Sequence, residues 1–122
     1  MNKPITPRTH GMLDYTTAGA AALLSRVLGF SPAAARTARL WAAGYSALSA
    51  LTNYPLALKR AVPFKAHGAM DSVMAPIIPA LPWLLGFARD RRARNFFLGL
   101  AAITVVVTAL TDWSSEPEPS SA

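Results

Sequence analysis

The sequence predicts an all-α polytopic membrane protein, with four transmembrane helices arranged as two tandem two-helix hairpins related by pseudo-two-fold symmetry. Three observations carry this expectation. Hydrophobic residues make up 52% of the chain and charged residues only 15%, whereas soluble domains carry roughly 25% charged residues. Four apolar stretches, at 11–30, 40–58, 66–88 and 95–113, are each close to the ~20 helical residues that cross a hydrocarbon core. The third observation is an internal repeat.

The first stretch carries Asp14 near its start and Arg26 near its end, both within reach of an interface. Lys3 and Arg8 precede it, but 11–17 is too polar for the core of a secretory signal, so the segment reads as an uncleaved anchor. The second and fourth stretches lack the charged face that a helix of a soluble bundle presents to water. In the third, Pro76, Pro79 and Pro82 each remove a backbone donor. A kinked, packed helix is the expectation there, with a broken helix lining a cavity as the alternative. The fourth is the clearest span, uncharged from Phe96 to Leu110. Beyond Trp113 the segment 114–122 is polar and proline-containing, and is expected to be disordered.

The repeat is visible residue by residue. His10-Gly11-x-x-Asp14 recurs as His67-Gly68-x-x-Asp71, displaced by 57 positions, and the same displacement carries Leu28-Gly29-Phe30 onto Leu85-Gly86-Phe87. Two residues are then gained. At a displacement of 59, Ala50-Leu51-Thr52-Asn53-Tyr54 falls on Ala109-Leu110-Thr111-Asp112-Trp113. Chance similarity of alanine-rich helices does not put His, Gly and Asp in register with Leu-Gly-Phe. The chain therefore divides into an N-terminal segment 1–9, a first hairpin 10–58, a second hairpin 59–113 that includes the connecting loop, and the tail 114–122. Two helices per repeat is an even number, so both copies enter the membrane from one side, as parallel repeats around an axis along its normal.

The stretch Leu81-Pro82-Trp83-Leu84-Leu85-Gly86-Phe87 resembles the motif of the SPW-repeat family of small bacterial integral membrane proteins, with Leu81 where that family has serine. The first copy, Leu24-Ser25-Arg26-Val27-Leu28-Gly29-Phe30, lacks both the proline and the tryptophan. The resemblance implies paired membrane hairpins in a bacterial inner membrane. It implies no activity and no catalytic residue.

Net charge is +6, and the basic residues cluster between apolar segments, notably at Arg89, Arg91, Arg92 and Arg94. That placement is what membrane topology requires and does not point to nucleic acid. Loops one and three, with Arg26 and the loop flanks, hold seven basic residues against five on the opposite side. The positive-inside rule then puts those loops in the cytoplasm and both termini outside, in a multi-pass plasma-membrane protein. The partner expected first is the lipid bilayer, with a second copy or another membrane protein as a further one.

His10, Asp14, His67 and Asp71 begin the odd helices, while Asn53, Tyr54, Asp112 and Trp113 end the even ones, so all eight share one membrane face. His and Asp four residues apart lie one helical turn apart on one side of a helix. Two such pairs facing each other offer nitrogen and oxygen ligands to a divalent metal. Two facing histidines alternatively offer axial ligands to haem, and an ionisable cluster within a membrane suits a proton or solute path. The structural alternative has each His donating a hydrogen bond to Asn53 or Asp112 of its own hairpin, with Gly11 and Gly68 allowing close approach. Tyr54, Trp113 and Trp83 read as interfacial anchors. The chain has no cysteine, hence no thiolate site, and shows neither a glycine-rich phosphate loop nor a serine nucleophile motif. The leading expectation is a non-enzymatic structural or accessory membrane protein without a cofactor. A metal- or haem-binding protein and a minimal proton or small-solute transporter are the alternatives.

Overall fold

The computed structural model describes residues 2–119 and contains four α-helices: α1 (Pro7–Val27), α2 (Pro32–Leu51), α3 (Phe64–Leu84) and α4 (Arg91–Leu110). Among the described residues no strand forms, only two isolated bridges. The even helices start earlier than their apolar stretches. Arg36 and Arg39 lie in the first half of α2, and Arg91, Arg92 and Arg94 open α4. Hydropathy marks the part of a helix that avoids water, whereas the backbone hydrogen-bond ladder continues through its polar first turns. By length and composition, Arg91–Leu110 is the one helix among the described residues long and apolar enough to cross a membrane. The four-helix count thus matches the expectation, but a high hydropathy does not extend to all four. Alanine and the charged residues at the ends of the other apolar stretches dilute it.

Local chemistry sets the helix ends. Thr6 caps α1 by accepting from the Thr9 N–H at 3.2 Å, with Pro7 in the first turn. Gly29 and Gly86, with φ of +62° and +78°, follow α1 and α3 in the left-handed conformation that ends a helix. The Phe30 and Phe87 amides then return to Ser25 and Pro82 carbonyls at 3.2 and 2.8 Å. The repeated Leu-Gly-Phe is therefore a repeated helix stop. Both phenylalanines are buried in the main apolar cluster. α3 runs as one uninterrupted helix through Pro76, Pro79 and Pro82, so the broken-helix alternative does not hold.

The hairpins are α1 against α2 and α3 against α4. Their inner faces are made of small residues: Ala18, Ala21, Ala34, Ala38, Ala42 and Ala93 are buried. Phe30, Ile78, Phe87, Phe97 and Leu100 join the two hairpins into one core. Large aliphatic residues point the other way. Leu23, Val27, Leu40, Val73, Leu84, Val105 and Val106 all keep more than half of their surface exposed. At the loop end the two copies meet through Asp90, which caps α4 at the Ala93 N–H (3.2 Å) and also accepts from the Ser31 N–H (2.7 Å). Ser31 is the residue equivalent to Asp90 in the first copy. Arg92 donates to the Leu28 carbonyl at 3.1 Å, so one of the loop arginines serves the exposed C-terminus of α1.

At the opposite end the backbone repeats itself in detail. The Ile5 N–H donates to Leu110 O (3.1 Å) and the Asp112 N–H to Ile5 O (2.9 Å), while the Val62 N–H donates to Leu51 O and the Asn53 N–H to Val62 O, both at 2.7 Å. The described part of the tail returns to this end, where Glu118 accepts from the Arg8 N–H at 2.9 Å and from Arg60 at 2.8 Å. Residues 120–122 lie outside the described residues.

Two consequences are measurable. A Cβ on Gly68 would meet the rigid Trp113 ring at 2.8–3.0 Å, whereas one on Gly11 would meet Tyr54 and Leu56 at 3.3–3.4 Å. Gly68→Ala should therefore destabilise by about 1–3 kcal/mol and Gly11→Ala by distinctly less, as read by thermal unfolding. The Ser31 and Ala93 backbone N–H groups hold the Asp90 carboxyl below the usual carboxylate range. Its stabilisation is complete above the unfolded value near 4 and is lost as pH falls through the lower folded value. Asp90→Ala should cost about 1 kcal/mol at neutral pH, and the difference from the parent should vanish in strong acid.

Candidate metal centre

Four of the residues singled out by the repeat converge. His10 and Asp14 lie one turn apart on α1, and His67 and Asp71 on α3, so each helix presents an imidazole and a carboxylate on one face. Both histidines are fully buried and Asp71 nearly so. Asp14 Oδ2 lies 3.3 Å from His10 Nε2 and 3.0 Å from His67 Nε2. Asp71 Oδ2 lies 3.2 and 3.4 Å from the same two nitrogens. Each carboxylate thus touches both imidazoles, and the four ligand atoms all lie within 4.8 Å of one another.

Their orientation comes from two residues that the sequence reading passed over. Thr52 Oγ1 donates to Leu48 O at 2.6 Å and lies 2.7 Å from His67 Nδ1. Thr111 Oγ1 donates to Val107 O at 2.5 Å and lies 2.9 Å from His10 Nδ1. A threonine hydroxyl has one hydrogen. With that hydrogen on the helix carbonyl, each hydroxyl accepts from the imidazole, so both Nδ1 atoms carry protons and both Nε2 atoms face the centre.

The exchange is reciprocal. His10 of the first hairpin is held by Thr111 of the second, and His67 of the second by Thr52 of the first. Asn53 and Asp112, the expected partners, are displaced from this role. Asn53 accepts from Arg60 at 3.4 Å, and Asp112 caps the following turn by accepting from Ser114 Oγ at 2.7 Å. The reason is phase: an adjacent residue past the helix end points about 100° or more away from its neighbour, and only the threonine position faces inward. The matching threonines were visible in the repeated Ala-Leu-Thr motif, and their pairing with histidine was the signal available.

Tyr54 is likewise not an interfacial anchor. It is fully buried, because Gly11 lets its ring lie against α1, and its hydroxyl donates to Asp14 Oδ2 at 3.2 Å. Trp113 covers the other side, with its ring 4.9 Å from His10 and its Nε1 donating to Thr108 O at 2.9 Å. Phe64 completes the aromatic wall at 5.7 Å from His10. Trp83 remains well exposed.

The geometry discriminates among ligands. Neither Nε2 makes a hydrogen bond among the described residues, although carboxylate oxygens lie 3.0–3.4 Å away. His–Asp distances of 3.0–3.4 Å, with all four ligand atoms within 4.8 Å of one another, bound a space of the size that one ion with bonds of about 2.0–2.1 Å occupies. Two carboxylates and two neutral imidazoles also balance the charge of a divalent ion. Haem does not fit. The imidazoles meet edge to face with centroids 5.1 Å apart, and the carboxylate oxygens occupy the space that a porphyrin plane would need. No protein-family model, no curated protein and no solved structure matches the chain.

If the threonines orient the ligands, Thr52→Val and Thr111→Val should each leave an imidazole N–H unpartnered. Each substitution should lower metal affinity by about 10–100-fold, measured by competition with a chromophoric chelator, and both should do so to a similar extent.

Proposed function

We propose that this is a membrane-embedded metal-binding protein, in which His10, Asp14, His67 and Asp71 hold one divalent first-row transition ion between two helical hairpins. The observation that carries this reading is the convergence of two buried imidazoles and two carboxylates, whose ligand atoms all lie within 4.8 Å of one another. A mixed imidazole–carboxylate set suits Zn²⁺, Fe²⁺, Co²⁺ or Mn²⁺ rather than the softer Cu⁺ or the all-oxygen preference of Ca²⁺. The threonines act as outer partners that fix each imidazole's tautomer. The ion would tie the hairpins together at the end where both termini lie.

The membrane part of the reading is supported by the inverted distribution of side-chain size. Alanines fill the core while large aliphatics such as Leu40 and Leu84 stay exposed, the opposite of a water-soluble bundle. Small residues inside and lipid-facing bulk outside are what close helix packing in a bilayer favours. The resemblance to SPW-repeat proteins agrees with paired membrane hairpins. With the basic loops facing the cytoplasm, the metal lies near the outer face.

Detergent-purified protein, stripped and dialysed against Zn²⁺ or Co²⁺, should retain one ion per chain by elemental analysis. His10→Ala together with His67→Ala should abolish retention. Loading should also weaken as pH falls, because protons compete with the ion for the imidazole nitrogens. Equal retention by the parent and the double variant would overturn the proposal.

A further inference from the structure

Beside the four ligands lies a cavity of about 30 Å³, lined by Asp14, Asp71, Trp41, Tyr45, Thr108 and Thr17 among others. A water needs roughly 10–15 Å³ of such space, so the cavity has room for a ligand of two or three atoms. Its wall is unusual in one respect. Trp41 Nε1 and Thr108 Oγ1 are buried there without a hydrogen-bond partner among the described residues, and the Tyr45 hydroxyl faces the Asp71 carboxylate. Buried polar groups are ordinarily paired, with protein or with ordered water. Two left unpaired around one space adjoining two carboxylates point to an occupant that accepts from them.

The repeat sharpens this point. The positions equivalent to Thr17 and Trp41 in the second copy hold Met74 and Leu100, and both pack into the apolar core. Tyr45 corresponds to Thr104, whose hydroxyl is satisfied by Leu100 O at 2.9 Å. The cavity is thus bordered by Thr17 and Trp41 on one side of a duplicated fold, where the other copy has Met74 and Leu100.

Resting on the metal reading above, we propose that this cavity is the exogenous-ligand pocket of the centre. It holds a solvent-derived oxygen ligand in the resting protein and exchanges it for small anions of two or three atoms. The indole N–H is a donor only, and the two hydroxyls donate readily, so the pocket selects acceptors. The carboxylates keep such an anion out unless the metal is present to neutralise them. Exchange is a simple substitution, in which the anion's lone pair replaces that of water on the ion and water leaves.

Co²⁺-loaded protein in detergent and azide provide the test, read from the visible absorption of the cobalt. Azide should change the spectrum saturably. Tyr45→Phe should weaken azide binding roughly tenfold, the scale of one lost buried hydrogen bond. Thr108→Ile, which fills the cavity, should abolish the azide response and shift the azide-free spectrum through loss of the solvent ligand, while cobalt stoichiometry stays unchanged. A cobalt spectrum indifferent to azide, or azide binding equal in parent and both variants, would overturn the pocket and leave the metal centre standing. Failure to bind cobalt at all would remove both.

Discussion

The architecture depends on the exchange of histidine partners between the two hairpins. His10 is held by Thr111 and His67 by Thr52, so neither hairpin satisfies its own buried imidazole. A buried polar group without a partner costs on the order of 1–3 kcal/mol, and that cost falls on either hairpin taken alone. It vanishes only when the two associate in one register. Alanine-lined helix faces, by contrast, tolerate sliding, because small uniform side chains specify contact distance better than position. The polar layer supplies the specificity that the alanines lack.

The same layer explains the residues gathered around it. Gly11 and Gly68 leave room for Tyr54 and Trp113 to lie flat against the helix starts. Pairing of the Ile5 and Val62 backbones with the ends of the opposite helices positions the threonines. The aromatic side chains seal the imidazoles from water, which strengthens every electrostatic contact within. Two imidazoles with two carboxylates are charge-balanced in two ways, by two protons or by one divalent ion.

Duplication gives a symmetric centre, and divergence has made its surroundings unequal. One carboxylate, Asp14, receives the Tyr54 hydroxyl. In the second copy Trp113 stands where Tyr54 does in the first, and its N–H is spent on the Thr108 carbonyl. Met74 and Leu100 stand in the second copy where Thr17 and Trp41 border the cavity in the first.

By itself the sequence determined the four helices, their grouping in pairs and the placement of two His-Gly-x-x-Asp starts at one end. These follow from local rules: hydropathy runs, helical period, glycine stops and a fixed repeat displacement. It also exposed Thr52 and Thr111 as a repeated pair, without saying what they touch. Tertiary structure alone decided that each threonine reaches across to the other hairpin, that Asn53 and Asp112 turn away, and that Tyr54 is buried rather than interfacial. Those outcomes depend on the phase at which each helix ends and on which hairpin faces which. Residues adjacent in the chain diverge by about 100° around a helix, and residues about a hundred positions apart, such as His10 and Thr111, meet only once the hairpins have packed.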